Sequence, residues 1–256
     1  NLLTLTNVGT VTLEATQSGS DQFAAAPPVQ STLTVWPAVV GRYLFYNQSA
    51  FDGTNAAANA NDDKAIVPNK SPLFPGQTAS FVCVSSYSAG INGIMIDVLG
   101  LPGTPTAADF SFKVGNNNTP ANWNNGPAPS SITVRPGAGV SGSSRVTLIW
   151  PNNSIRKTWL QVTVLPTANT GLTVQDRFFF GSAVGRAYIG GDANVMRVTT
   201  QDEIRTRNNQ RGPLPPAPLD YLYDFNRDAR VNATDQIIVR VNGTSALTEL
   251  KVITPE

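Results

Sequence analysis

Eight short runs rich in β-branched and aromatic residues recur between residues 38 and 182, each closed by Gly, Pro or Asn breaks. They span 42–46, 80–84, 93–99, 110–114, 131–135, 145–150, 159–165 and 176–180. Runs this short cannot make helices of useful length, and their composition suits a pleated, half-buried surface. Only residues 56–60 hint at a helix. The expectation for 38–182 is therefore an all-β unit, a β-sandwich of immunoglobulin-like or jelly-roll-like type. Trp150 and Trp159 fall inside two of these runs and are expected in the core. Cys83 lies in another and reads as a small buried hydrophobe rather than a reactive thiol.

The first 36 residues alternate apolar and polar positions, the strand period. Candidate strands are 2–6, 10–15 and 31–35, broken at Gly9, at Gly19-Ser20-Asp21 and at Pro27-Pro28. The wording Gly9-Thr10-Val11-Thr12-Leu13-Glu14-Ala15-Thr16-Gln17, then Phe23-Ala24-Ala25-Ala26-Pro27, then Ser31-Thr32-Leu33-Thr34-Val35 resembles the last strands of a bacterial immunoglobulin-like repeat. Three strands cannot close a sandwich by themselves. Two readings stay open for 1–37. They are the end of an incomplete domain, or they complete a sheet in a neighbouring subunit by strand addition. The second would build a head-to-tail fibre, because a heterologous contact need not close. No signal peptide or initiator Met is visible, and Asn1 reads as mid-strand, so a piece of a longer secreted chain is expected.

Composition removes several function classes. Without histidine there is no Ser-His-Asp or Cys-His catalytic system and no His-ligated metal. One cysteine makes no internal disulfide. A net charge of +1 gives no electrostatic footprint for nucleic acid, and no apolar run approaches the ~18 residues of a membrane span. Charged residues are only 14% of the chain, and they are unevenly placed. Residues 1–155 hold six Lys/Arg and seven Asp/Glu, whereas 156–256 hold twelve and ten. The shift marks a different C-terminal unit, assigned to 183–256. Helical segments are expected there at 200–208 and 234–242, with an extended Pro-rich linker, 212–218, between them.

The sharpest motif lies in that unit: Asp224-Phe225-Asn226-Arg227-Asp228-Ala229-Arg230-Val231-Asn232-Ala233-Thr234-Asp235. Side-chain oxygens stand at positions one, three, five, nine and twelve of a 12-residue loop. Calcium takes six to eight hard oxygen ligands, and a loop of this length wraps them round one ion. The expected donors are Asp224, Asn226, Asp228, the Arg230 carbonyl, Asn232 and Asp235. The competing reading is an Asx-turn loop followed by a capped helix, with Thr234 or Asp235 as the cap. Ile237, Ile238 and Val241 read as the buried face of the helix behind the loop.

This loop resembles a dockerin repeat, a calcium loop plus helix that normally occurs in tandem; the resemblance covers residues 190–256. Dockerins usually carry Gly at position six, where this chain has Ala229. The resemblance implies a calcium cofactor, an extracellular or cell-surface setting, a cohesin-like β-sandwich as partner, and an upstream copy. Asp202 and Val198 match Asp235 and Val231 at an offset of 33 residues. Asp192 and Asn194 then stand as positions one and three of a degenerate loop that is one residue short. The Asp224–Asp235 loop and its helix are expected either to dock a cohesin or to pack on this chain's own sandwich.

Two weaker groups complete the reading. Asp52, Asn55, Asp62 and Asp63 form a third candidate metal set, read alternatively as a solvated turn. Trp123, in the Asn-rich stretch 115–125, is a candidate glycan contact, read alternatively as a lid on the sheet end. No pair of carboxylates in the sequence argues for glycosidase spacing. The expected function is non-enzymatic: an extracellular structural or adhesion module, calcium-stabilised, associating with a cohesin-like domain or identical subunits and able to build a filament. The alternative is a carbohydrate-binding module of a secreted multidomain hydrolase, with a polysaccharide as partner.

Overall fold

A computed structural model describes residues 8–187 and 194–256. The expected strand 2–6 and the candidate ligand Asp192 lie outside these residues. The molecule is mainly β, with few helices. Its strands are β1 (Gly9–Gln17), β2 (Ala26–Val35), β3 (Ala38–Leu44), β4 (Val84–Ser85), β5 (Gly93–Leu99), β6 (Phe110–Gly115) and β7 (Asn124–Asn125). They continue as β8 (Ser131–Arg135), β9 (Ser144–Ile149), β10 (Trp159–Val164), β11 (Asp176–Ser182), β12 (Val195–Met196) and β13 (Leu250–Lys251). The helices are α1 (Thr200–Asn208) and α2 (Ala233–Val241).

Two sheets form the body, one in the order β3-β5-β9-β8 and the other β4-β11-β10-β6-β7. The period-two pattern sorts their side chains. In β10, Leu160, Val162 and Val164 enter the main core while Gln161 and Thr163 face the other way. In β11, Phe178 and Phe180 enter that core and Phe179 joins a second cluster on the opposite face. From the four-stranded sheet come Leu44, Ile94, Ile96, Val98, Val146 and Leu148. Phe112 and Trp150 meet edge-to-face across the core, ring centres 5.3 Å apart. Each such fully buried side chain contributes about 1.5–3 kcal/mol.

Trp150 and Trp159 are in the core as expected, and Cys83 is buried and free. Two local readings need correction. Residues 80–84 are mostly not strand: Phe81–Cys83 form a 3-10 turn ahead of the two-residue β4. The helix hint at 56–60 is displaced to a 3-10 helix at Ala60–Ala65, because Asn59 and Asp62 close a capping box there.

Among the described residues β1 and β2 pair with each other and with no other strand. Every residue of this hairpin except Val11 and Val35 is exposed.

The C-terminal region returns to the body at several points. Its tail runs along the five-stranded sheet. Trp159 Nε1 donates to the Lys251 carbonyl at 2.8 Å, and Ala79 N donates to the Ile253 carbonyl at 2.8 Å. Leu250 and Ile253 join the second cluster beside Cys83, Trp123 and Phe179. Gly185 has φ +83, and the Cα of Val239 lies 3.2 Å from where its Cβ would be, so α2 approaches the body at a point open only to glycine. No described helix is long and apolar enough to cross a membrane.

Candidate functional site

The loop 224–235 is built around two carboxylates that are fully buried, Asp224 and Asp235. Asp235 sits at the third residue of α2. Its Oδ2 accepts from Asn232 N at 3.0 Å while the Asn232 side chain accepts from Thr234 N, a reciprocal cap. Its Oδ1 reaches back across the loop to Phe225 N at 2.7 Å. One residue thus caps the helix and ties the loop's two ends together. The helix cap is Asn232, rather than Thr234 or Asp235.

Asp224 closes the other half. Its oxygens accept from Asp228 N at 3.2 Å and Ala229 N at 3.0 Å. This holds a tight reversal in which Arg227 and Ala229 both take left-handed φ, +54 and +64. Ala229 is position six, where glycine would be unstrained, and its Cβ costs about 1–2 kcal/mol in that conformation. The loop nonetheless keeps the turn. Asp228, at the exposed tip, accepts from Arg230 N at 2.9 Å and from Asn226 Nδ2 at 2.9 Å. The Asx-turn and calcium-loop readings therefore describe the same backbone, with the same oxygens.

The electrostatics are unbalanced. Among the described residues the ion pairs are made by Asp63, Asp97, Asp176, Asp202, Glu203 and Glu249, and none by Asp224, Asp228 or Asp235. Burial, reinforced by the Asp235 and Asp228 charges and opposed by Arg227, pushes the Asp224 carboxyl up to about 7. Burial also raises Asp235. Buried carboxylates without a cation are costly. Their donor set, hard oxygens on a short loop, is the kind a calcium-sized cation takes. Among the described residues no three His, Cys, Asp or Glu side chains converge as a ready-made cluster, because Asp228 is turned outward onto Arg230 N.

The loop's inner side is fastened to the body. Arg227 is buried. Its Nη1 donates to the carbonyls of Tyr221 at 2.7 Å and Leu219 at 3.3 Å. Its Nη2 donates to Ser86 Oγ at 3.0 Å and Tyr46 Oη at 3.3 Å, and its guanidinium lies 4.5 Å from the Tyr46 ring centre. The Arg227 carbonyl accepts from Ala50 N, and the Phe225 carbonyl from Ser88 N. The sequence reading missed Arg227: position four of the loop carries no ligand signal, and its partners are some 140 and 180 residues away. The helix face is also corrected. Ile237 and Val241 are exposed, and the buried line of α2 is Asp235, Val239 and Asn242.

Asp202 repeats the Asp235 geometry at the expected offset. Its Oδ2 accepts from Thr199 N at 2.7 Å and its Oδ1 from Ala187 N at 2.8 Å, so Ala187 stands where Phe225 stands. Both belong to one apolar cluster with Val198 and Val239. The residue before Ala187 is Arg186, in the place of Asp224, and its Nη1 lies 3.7 Å from Asp202 Oδ2. A fixed guanidinium thus stands beside the upstream acid. Asn194 is exposed, and its carbonyl accepts from Val252 N.

The other candidates separate. Asp63 is engaged by Arg135 and Arg145, and Asn55 accepts from Ala57 N in an exposed turn. Asp52 and Asp62 are buried side by side without ion pairs. Trp123 is only 6% exposed, its Nε1 donates to Asn117 Oδ1 at 3.0 Å, and its ring stands edge-on to Phe179. It covers the sheet end. Its Asn neighbours hold the C-terminal tail: Asn116 Oδ1 accepts from Lys251 N and Asn118 Oδ1 from Thr254 N. An open groove of about 560 Å³ lies on the outer face of the five-stranded sheet, lined by Lys113, Gln161, Thr163 and Arg177 and by no aromatic ring.

Compared with known proteins, the chain matches no family model, and no curated protein or solved structure shows detectable similarity to it.

Proposed function

We propose that this chain is a calcium-stabilised structural module of a secreted or cell-surface protein. It consists of a β-sandwich body and a dockerin-like C-terminal region, and it works by association rather than catalysis. The observation that carries this reading is the 224–235 loop. It has two buried, cation-free carboxylates at positions one and twelve and a left-handed residue at position six. Asp224, Asn226, Asp228, Asn232 and Asp235 would hold the ion with the Arg230 carbonyl. Calcium would supply the missing positive charge and fix the loop's shape. Asp228 has to swing in from the tip, and only two hydrogen bonds hold it out.

The loop's position against the body favours an internal clamp over a free docking surface. Phe225, Arg227 and Ala50 already join the loop to the sheets. The upstream copy carries Arg186 beside its acid, which supports one calcium in this region rather than two. Association is assigned to the β1–β2 hairpin, which among the described residues pairs with no further strand and so suits strand addition to a neighbouring copy. The carbohydrate-binding alternative draws less support, since Trp123 is covered and the groove has no aromatic platform.

Limited proteolysis tests the clamp. In calcium the segment 211–235 is expected to resist cleavage, and in a chelator it is expected to be cut first. Identical patterns in both would remove the reading. Sedimentation velocity tests the association: larger species are expected for the whole chain and their loss on removing residues 1–35. A monomer at every concentration would contradict it.

A further inference from the structure

The segment 47–62 holds a second group of cation-free oxygens, distinct from the 224–235 loop. Asp52 and Asp62 are 1% and 0% exposed, and the charge of Asp52, after burial itself, adds to the cost of ionising Asp62. Asp52 is fixed by the chain around it, with Oδ2 accepting from Gln48 N at 2.6 Å and Oδ1 from Thr54 N at 2.9 Å. Asp62 Oδ2 accepts from Asn59 N at 2.9 Å, while its Oδ1 is buried with no partner. A second oxygen is in the same position. Asn47 is 2% exposed, its Nδ2 is held by the Ala56 carbonyl across the loop, and its Oδ1 has no hydrogen-bond partner. The Asp52 carboxylate sits on the backbone N–H of the very next residue, Gln48, so Asn47 and Asp52 are neighbours in space.

A buried oxygen left without a donor costs about 1–3 kcal/mol, more when charged. Two such oxygens and two buried carboxylates stand on one short loop, and among the described residues no salt bridge reaches either carboxylate. Arg135 opposes the rise at Asp62 without pairing with it, and is itself engaged by Asp63, as Arg145 is by Asp63 and Asp97. We infer that Asn47, Asp52 and Asp62 form a site for one hard divalent cation of calcium type, separate from the 224–235 loop. Two carboxylates neutralise a divalent ion, and the neutral Asn47 oxygen adds a donor without excess charge. Backbone carbonyls of the same loop and water complete the shell that calcium requires. Bound there, the ion would brace the loop that meets Arg227 through Ala50.

The inference does not depend on the 224–235 loop binding calcium, and the experiment separates the two. Calcium bound per chain is counted by native mass spectrometry on the full protein, with titration calorimetry for affinity. The wild type is expected to bind two ions. Asp62→Asn, which keeps the shape and removes the charge, is expected to bind one. Asn47→Ala is expected to weaken one site at least tenfold. Asp224→Asn/Asp228→Asn is expected to keep one ion, the one held by Asp52 and Asp62. The inference is overturned if that double variant binds none, or if folded Asp62→Asn still binds two. Should Asp62→Asn fail to fold, the double variant's count alone decides. A single ion lost with Asp62→Asn and kept by the double variant would support this site and remove the loop's calcium instead.

Discussion

Replacing Arg227 by Ala is expected to lower the melting temperature by about 6–12 °C. The side chain is buried, and its direct contacts are four neutral acceptors and the Tyr46 ring, with the Asp224 charge acting on it without a salt bridge. Hydrogen bonds to a charged group contribute about 1.5–3 kcal/mol each when one partner is removed, and they do not add. Losing the fork and its stacking together costs about 3 kcal/mol, and at this chain length each kcal/mol moves the midpoint by about 2–4 °C. The variant also leaves Ser86 Oγ and the Tyr221 carbonyl without their donors. Arg227→Lys keeps the charge but not the planar fork, and is expected to recover less than half of the loss. Differential scanning calorimetry of the three proteins checks this. A change below 2 °C for Arg227→Ala would mean that the loop is not anchored through this residue.

The second large effect is the removal of a pH dependence by calcium. Without calcium the Asp224 carboxyl is protonated up to about pH 7 in the folded protein, but only to about 3.9 in the unfolded chain. Between those values the folded state holds the extra proton. The stability this group contributes is therefore full below about pH 3.9, and it falls as pH rises to 7. Three pH units correspond to a ceiling of about 4 kcal/mol. Asp235, Asp52 and Asp62 are raised by burial as well and act in the same direction. Calcium binds the ionised form and competes with the proton; with calcium saturating, Asp224 is ionised in the folded and the unfolded chain alike over this window, so its contribution no longer falls with pH. The two melting curves against pH are expected to diverge towards pH 8. In Asp224→Asn most of the divergence should vanish, and persistence of the full difference there would assign it elsewhere.

Where strand and helix depend on local pattern, the sequence is a good guide. β5, β8 and α1 fall on the residues that periodicity selects, since each is a single run between clear breaks. The turns of the 224–235 loop are legible for the same reason: its Asp and Asn spacing is local, and the backbone takes positive φ at Ala229. The failures occur where distant parts meet. Phe81–Cys83 reads as strand because it is apolar, but its burial comes from the C-terminal tail lying beside it. α2 shows Ile237 and Val241 to solvent because Asp235, which must turn inward to cap the loop, sets the buried line through Val239. Asp63 reads as a ligand beside Asp62, yet two arginines from β8 and β9 claim it. The amides around Trp123 read as flanks of a glycan contact, yet Asn116 and Asn118 hold the C-terminal tail. Apart from the Asp235 cap, these contacts come from residues more than fifty positions away in the chain.

The central claim is that calcium completes the 224–235 loop. The most direct test is the melting temperature of the wild-type chain at pH 7.5 in millimolar calcium and in a chelator. An ion bound only by the folded state, present at about 1,000 times its dissociation constant, adds about 4 kcal/mol, or roughly 8–16 °C here. A shift of that size, much reduced in Asp224→Asn/Asp228→Asn, is the predicted result. Equal melting temperatures with and without calcium would contradict the claim.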